Sequence, residues 1–182
     1  QQLRAALIES AQHLFAERGF DNVSVDGIAE RAQASRRTFF RYFGVKEDVL
    51  FAQDDTLLAA LLDGIRRADD PDPAAQARAG VNAVIAVLEP QRAELRQRQL
   101  ILDSVPTLQD RTIAKYARWE RAALAREDAR EEEYHQELGL AVAAALLCLR
   151  LGYEAWVSAT DGPGLQDHVD AGADRLARRR RN

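Results

Sequence analysis

Two short helical segments separated by only three residues constrain this chain more than any other feature. The first is residues 24–32, the second residues 36–43, and Gln33-Ala34-Ser35 lies between them. Helices this short are not stable alone in water, so both must pack on a longer neighbour. That neighbour is expected just upstream. Leu3, Leu7, Ala11, Leu14 and Phe15 recur at helical spacing and predict a first helix from about Leu3 to Arg18. Gly19 supplies its stop, because glycine tolerates the left-handed conformation of a helix end. Ser24 is the expected N-cap of the second helix, with Val25, Ile28 and Ala29 on its buried face. Ser35 caps a third helix, Arg36 to Phe43, on which Phe39 and Phe43 point inward. Arg36, Arg37, Phe40 and Arg41 are left on the outer side. Gly44 breaks the run, and a long fourth helix is expected from near Lys46 to about Arg67.

The remaining chain also reads as helix. Ala and Leu total 55 residues, against 22 for Val, Ile and Thr together, and β-branched residues lose side-chain freedom in a helix. Later helices are expected at about 74–89, 91–103, 107–130, 135–159 and 165–179. Asp69-Asp70-Pro71-Asp72-Pro73 and Asp161-Gly162-Pro163-Gly164 form the clearest breaks. The expectation is an all-α protein of about nine helices in two domains, 1–46 and 47–182. The closing Arg178-Arg179-Arg180-Arg181 complements the dipole of the last helix.

Several function classes drop out. The single Cys148 excludes a disulfide framework, and His13, His135 and His168 are too far apart in sequence to suggest a metal site. No nucleophile elbow, phosphate loop or dinucleotide fingerprint is present, so neither catalysis nor a cofactor is expected. The longest uninterrupted apolar run, Leu138 to Leu149, has 12 residues, whereas a membrane span needs roughly 20. No secretory signal is expected, and the location is expected to be cytoplasmic. With no methionine at any position, the numbering is expected to begin downstream of the native N-terminus.

Charge then separates the two parts. The net charge is −4 overall, but residues 1–46 carry 7 basic and 5 acidic side chains, and residues 47–182 carry 18 and 24. Arg31, Arg36, Arg37, Arg41 and Lys46 occupy a stretch without one acidic residue. Such a patch attracts phosphate. Two short helices, a three-residue turn and a basic second helix match a helix-turn-helix. Its second helix must be thin enough for the major groove, and arginine is the best single reader of guanine.

Residues 4–53 resemble the DNA-binding domain of the TetR family of bacterial transcriptional regulators. The segments that carry the resemblance are Leu14-Phe15-Ala16-Glu17-Arg18-Gly19-Phe20, Val25-Asp26-Gly27-Ile28-Ala29-Glu30-Arg31-Ala32, Ser35-Arg36-Arg37-Thr38-Phe39-Phe40-Arg41-Tyr42-Phe43 and Lys46-Glu47-Asp48-Val49-Leu50. The resemblance implies DNA contacts from Ser24, Val25, Ser35, Arg36, Arg37, Thr38, Phe40, Arg41, Tyr42 and Lys46. Arg36, Arg37 and Thr38 match positions that read bases or adjacent phosphates, and Tyr42 and Lys46 match backbone contacts. Two positions depart from the family pattern: Gln33 replaces the usual turn glycine, and Phe40 lacks the hydroxyl of the usual tyrosine.

The resemblance further implies a homodimer, a double-stranded DNA operator and a small-molecule effector. Leu149, Tyr153, Trp156, Leu165, Val169 and Leu176 are the expected dimer contacts. The expected effector lining is Leu61, Ile65, Val84, Leu88, Leu100, Ile101, Leu108, Tyr116, Trp119 and Leu146, with Arg150 either paired to Glu154 or anchoring an anion. Arg96-Gln97-Arg98-Gln99-Leu100-Ile101-Leu102 through Pro106, then Lys115-Tyr116-Ala117-Arg118-Trp119-Glu120-Arg121, make residues 90–160 similar to the mycofactocin-regulator-like subgroup, some members of which respond to acyl-CoA thioesters. The alternative expectation is a helical dimeric binding module without sequence-specific DNA binding.

Overall fold

The computed structural model describes residues 2–125 and 132–179. They form helices α1 (Gln2–Arg18), α2 (Val25–Arg31), α3 (Arg36–Tyr42), α4 (Asp54–Arg67), α5 (Pro73–Leu88), α6 (Arg92–Ser104), α7 (Pro106–Leu124), α8 (Glu132–Ser158) and α9 (Leu165–Arg179). No strand occurs among the described residues, so the all-α expectation holds. The expected fourth helix is divided. Lys46–Phe51 is a separate 3-10 turn, and α4 begins only at Asp54. The expected stretch of helix at 126–130 and Arg180 and Arg181 lie outside the described residues.

The chain divides into two compact units. Unit 1 comprises the residues up to Asp55 together with Arg96–Thr112, and unit 2 comprises Thr56–Leu95 and the residues from Ile113 on. The boundary expected after residue 46 is therefore displaced. Apolar side chains explain the displacement. Val49, Leu50 and Phe51 of the 3-10 turn join the core of unit 1, and so do Ile101, Leu102 and Leu108 from the end of α6 and the start of α7. These pack with Leu7, Ala11, Leu14 and Phe15 of α1, Ile28 of α2 and Phe39 of α3. Each Val, Leu, Ile or Phe among them contributes roughly 1.5–3 kcal/mol when fully buried.

In unit 2, α8 is the central element. Leu138, Val142, Leu146, Leu149, Tyr153 and Trp156 form its buried stripe against α5, α9 and Trp119 of α7. Small residues set the helix separations. A Cβ on Gly152 would lie 2.8 Å from Val169 Cγ2, and one on Gly80 would lie 2.8 Å from the Leu61 carbonyl. Helix ends are closed from a distance. Arg92 donates to the carbonyls of Trp156 at 2.8 Å and Ala159 at 3.0 Å, where α8 leaves them without helical partners. Glu89 accepts from the Leu165 N–H at 2.9 Å and caps α9. Burial pushes the Cys148 thiol up.

Candidate nucleic-acid interface

The turn between α2 and α3 begins with an unusual backbone. Gln33 lies at φ 53°, in the left-handed region that glycine normally fills. Its N–H donates to the Glu30 carbonyl at 3.0 Å, and the Ala34 N–H donates to the Ala29 carbonyl at 2.8 Å. That pair of bonds is a Schellman closure of α2. Gln33 thus closes α2 in a conformation that a glycine adopts without strain. Ser24 Oγ accepts from the Gly27 N–H at 3.1 Å, and Ser35 Oγ accepts from the Thr38 N–H at 3.1 Å. Both expected caps are present.

Helix α3 is anchored from within. Phe39 is buried against Phe43, with ring centroids 5.4 Å apart. Arg36, Arg37, Phe40 and Arg41 are exposed on the opposite side, as the spacing predicts. Phe40 remains 45% exposed although its ring meets Phe39 edge-on at 5.6 Å. The cations are held differently. Arg36 pairs with Asp26 at 2.7 Å. Arg41 stacks over the Tyr42 ring at 4.9 Å and donates to its hydroxyl at 3.2 Å. Among the described residues, Arg37 has neither an ion-pair nor a hydrogen-bond partner. Thr38 shares a 2.9 Å hydroxyl–hydroxyl hydrogen bond with Ser35.

Two expected contacts are also engaged within the chain. The Val25 side chain is half-buried against the core of unit 1, and its N–H, at the first position of α2, is free of a helical partner. Lys46 is half-buried, and its Nζ donates to the carbonyls of Phe20 at 2.8 Å and Val23 at 3.0 Å. An ammonium has three donors, so one remains for a phosphate.

A further group that sequence reading missed holds the segment after α3. Asp48 accepts from the Gly44 N–H at 2.7 Å, from the Val45 N–H at 3.0 Å, and from Arg111. Partial burial pushes its carboxyl up, but the Arg111 hydrogen bond, the two amides and the Arg111 charge outweigh that and hold it below its ordinary value. Arg98 donates to the Leu50 carbonyl, and Arg98 and Arg111 lie 5.6 and 4.6 Å from the centre of the Phe51 ring. Arg98 and Arg111 come from the part of α6 and α7 that belongs to unit 1. No local pattern could reveal them, because they pair with residues 48 and 63 positions away.

The expected effector lining does not stay together. Leu61, Ile65, Val84, Leu88, Trp119 and Leu146 share the core of unit 2, with Tyr116 packed against it. Ile101 and Leu108 belong to the core of unit 1, and Leu100 is 67% exposed. Along α6, Leu95 belongs to the core of unit 2, and Ile101 and Leu102 belong to the core of unit 1. Arg150 pairs with Glu154 at 3.4 Å, the ordinary i,i+4 outcome. Among the described residues the Trp119 Nε1–H is buried without a hydrogen-bond partner.

The expected dimer contacts also need correction. Leu149, Tyr153, Trp156, Leu165 and Val169 are buried within the chain itself. Of the six, only Leu176 is exposed. The apolar residues that α8 presents outward are instead Leu140, Ala144, Leu147, Leu151 and Ala155. A groove of about 530 Å³ runs between α8 and α9, lined by Leu147, Leu151, Gly152, His168, Gly172 and Leu176 among others. A second of about 620 Å³ opens among α5, α8 and α9. None of the expected effector-lining residues lines either groove.

Comparison with known proteins places this geometry. Residues 7–52 match the family model "Bacterial regulatory proteins, tetR family". The chain is 34% identical over 179 residues to a putative mycofactocin biosynthesis transcriptional regulator, MftR, of Mycobacterium tuberculosis, covering 91% of this chain and 88% of the relative. The fold is similar to Thermus thermophilus FadR, a TetR-family repressor solved with lauroyl-CoA. That match has a TM-score of 0.51 at 23% identity and covers 96% of this chain and 93% of the other. It is also similar to SmeT, the repressor of the Stenotrophomonas maltophilia multidrug efflux pump SmeDEF. Here the TM-score is 0.60 at 16% identity, covering 94% and 87%.

Proposed function

Since this chain belongs to the TetR family of bacterial transcriptional regulators, we propose that it acts as a homodimeric, ligand-responsive repressor in the cytoplasm. In this reading α3 of each protomer enters a major groove of a near-palindromic operator, and a hydrophobic effector releases the DNA. The observation that carries the reading is the outer face of α3. Arg36, Arg37 and Arg41 stand exposed there on a helix fixed from below by Phe39. Arg37 is the base reader or phosphate clamp with nothing to give up on binding. Tyr42, Lys46 and the N-terminal amides of α2 and α3, next to Ser24 and Ser35, fix the register on phosphates. Phe40 has no hydroxyl for a phosphate and offers an apolar contact, such as a thymine methyl.

The partner is a second copy, docked on the outward stripe of Leu140, Leu147 and Leu151 and on Leu176. Helix α8 is the one described helix long and apolar enough to cross a membrane. A core on one side and a partner on the other account for an apolar character all round. For the effector, the unpaired Trp119 Nε1–H, in the same core as Leu61, Ile65, Val84, Leu88 and Leu146, would suit an apolar chain with a hydrogen-bond acceptor, as in an acyl thioester. The mobility of operator DNA, recovered by binding-site selection, tests this. Arg36→Ala and Arg37→Ala are expected to weaken the shift, and lauroyl-CoA to reverse it for the unaltered protein. Unchanged shifts in both variants would contradict the assignment of α3. A shift that persists at saturating lauroyl-CoA would exclude that ligand.

A further inference from the structure

Asp26 stands on the first turn of α2, and its Oδ2 accepts from Arg36 Nη1 at 2.7 Å. Both side chains are more than half exposed, at 61% and 62%, so water competes and the pair adds little stability. Its consequence is directional. The Arg36 guanidinium also lies 5.5 Å from the centre of the Phe40 ring, which itself rests edge-on against buried Phe39. A carboxylate at one end and a ring beneath hold the guanidinium at two points. Arg37, one residue on, has neither restraint.

We propose that Asp26 is a specificity-setting residue, which aims Arg36 at a base edge and keeps it off the phosphates. The inference rests on the reading that α3 enters the major groove. A guanidinium has five N–H donors, so the bond to Asp26 leaves enough for a two-point contact with guanine O6 and N7. The carboxylate also cancels the charge of Arg36 locally. The pair therefore releases few counterions from DNA and adds little to sequence-independent attraction. Arg36 supplies discrimination, and Arg37 is left to supply general affinity. Freed of Asp26, Arg36 gains both its full charge and the freedom to reach a phosphate.

The test uses the full chain and an operator recovered by binding-site selection. Affinities are measured for every single-base-pair variant of the operator and for a random duplex, at two salt concentrations. Arg36→Ala is expected to reduce discrimination at one base pair of each half-site by about 5–150-fold. Asp26→Asn is expected to reduce discrimination at that same base pair and no other, and to tighten random-duplex binding. It should steepen the salt dependence of random-duplex binding by about one unit per protomer in the log–log slope. Asp26→Glu, which keeps the carboxylate, is expected to restore discrimination. In the Arg36→Ala background, Asp26→Asn is expected to change discrimination no further, because the two residues act as one unit. If Asp26→Asn leaves discrimination intact while Arg36→Ala removes it, the inference is overturned and the reading of α3 stands. If Asp26→Asn has the same effect with and without Arg36, Asp26 acts on the DNA by itself and the inference is again overturned. If Arg36→Ala changes discrimination nowhere, the assignment of Arg36 as a reader fails together with the inference.

Discussion

Gln33 holds a backbone conformation that costs an ordinary L-residue roughly 1–2 kcal/mol. Gln33→Gly relieves that cost but increases the entropy of the unfolded chain. The difference, a net gain of about 0.5–1 kcal/mol, is expected in urea unfolding, with operator affinity unchanged. Loss of stability would mean that the glutamine side chain makes up for its backbone. Asp48 offers a second test at the same scale. Its carboxyl titrates below its ordinary value in the folded chain, so its stabilising contribution is complete above the unfolded value near ~3.9. That contribution is lost as pH falls through the lower, folded value. Asp48→Asn is expected to flatten this acid-side loss, seen as a smaller change in the melting midpoint between pH 5 and strongly acid solution. Asp48→Ala, which also strands the Gly44 and Val45 amides, is expected to cost about 0.5–2 kcal/mol at neutral pH. The caps at Ser24 and Ser35 were legible in the sequence because an N-cap is a local event within four residues. The Asp48–Arg111 pair was not, since only the packing of α6 and α7 brings its partners together.

At the scale of elements, α8 teaches a different lesson. Its helical period was plain from Leu138 to Trp156, but an all-apolar helix carries two stripes of equal period. The period alone does not tell which of them faces the core. The structure buries Leu138, Val142, Leu146, Leu149, Tyr153 and Trp156, and it leaves Leu140, Ala144, Leu147 and Leu151 outward. The two stripes should respond differently to substitution. Leu149→Ala is expected to cost about 2–5 kcal/mol through the cavity it leaves. The double variant Leu147→Glu with Leu151→Glu is expected to give a folded monomer by light scattering, because it charges the outer stripe and leaves the core intact. A dimer of unchanged mass would place the partner elsewhere. Gly80 marks another element-level constraint. A methyl group there meets the Leu61 carbonyl, so Gly80→Ala is expected to destabilise by about 1–3 kcal/mol, as overpacking does.

For the whole molecule, the main departure from the sequence reading is the composition of unit 1. It recruits residues 96–112 from far along the chain, so that α4, α6 and α7 each begin in one unit and end in the other. Under the proposed ligand response, a change carried along any of these three continuous helices reaches both units. A coupling of about 1–3 kcal/mol would change operator affinity some 5–150-fold. Arg111→Ala is expected to weaken operator binding although the residue has no part in the recognition helix, because it loosens the Asp48 turn that carries Lys46. The proposed dimer that reads sequence underlies these predictions, and the selection of bound sites from random duplex DNA at two salt concentrations tests it most directly. The expected result is a near-palindrome with half-sites about one helical turn, ~34–36 Å, apart, bound much more weakly at the higher salt. A well-folded protein that enriches no motif at either concentration would contradict it.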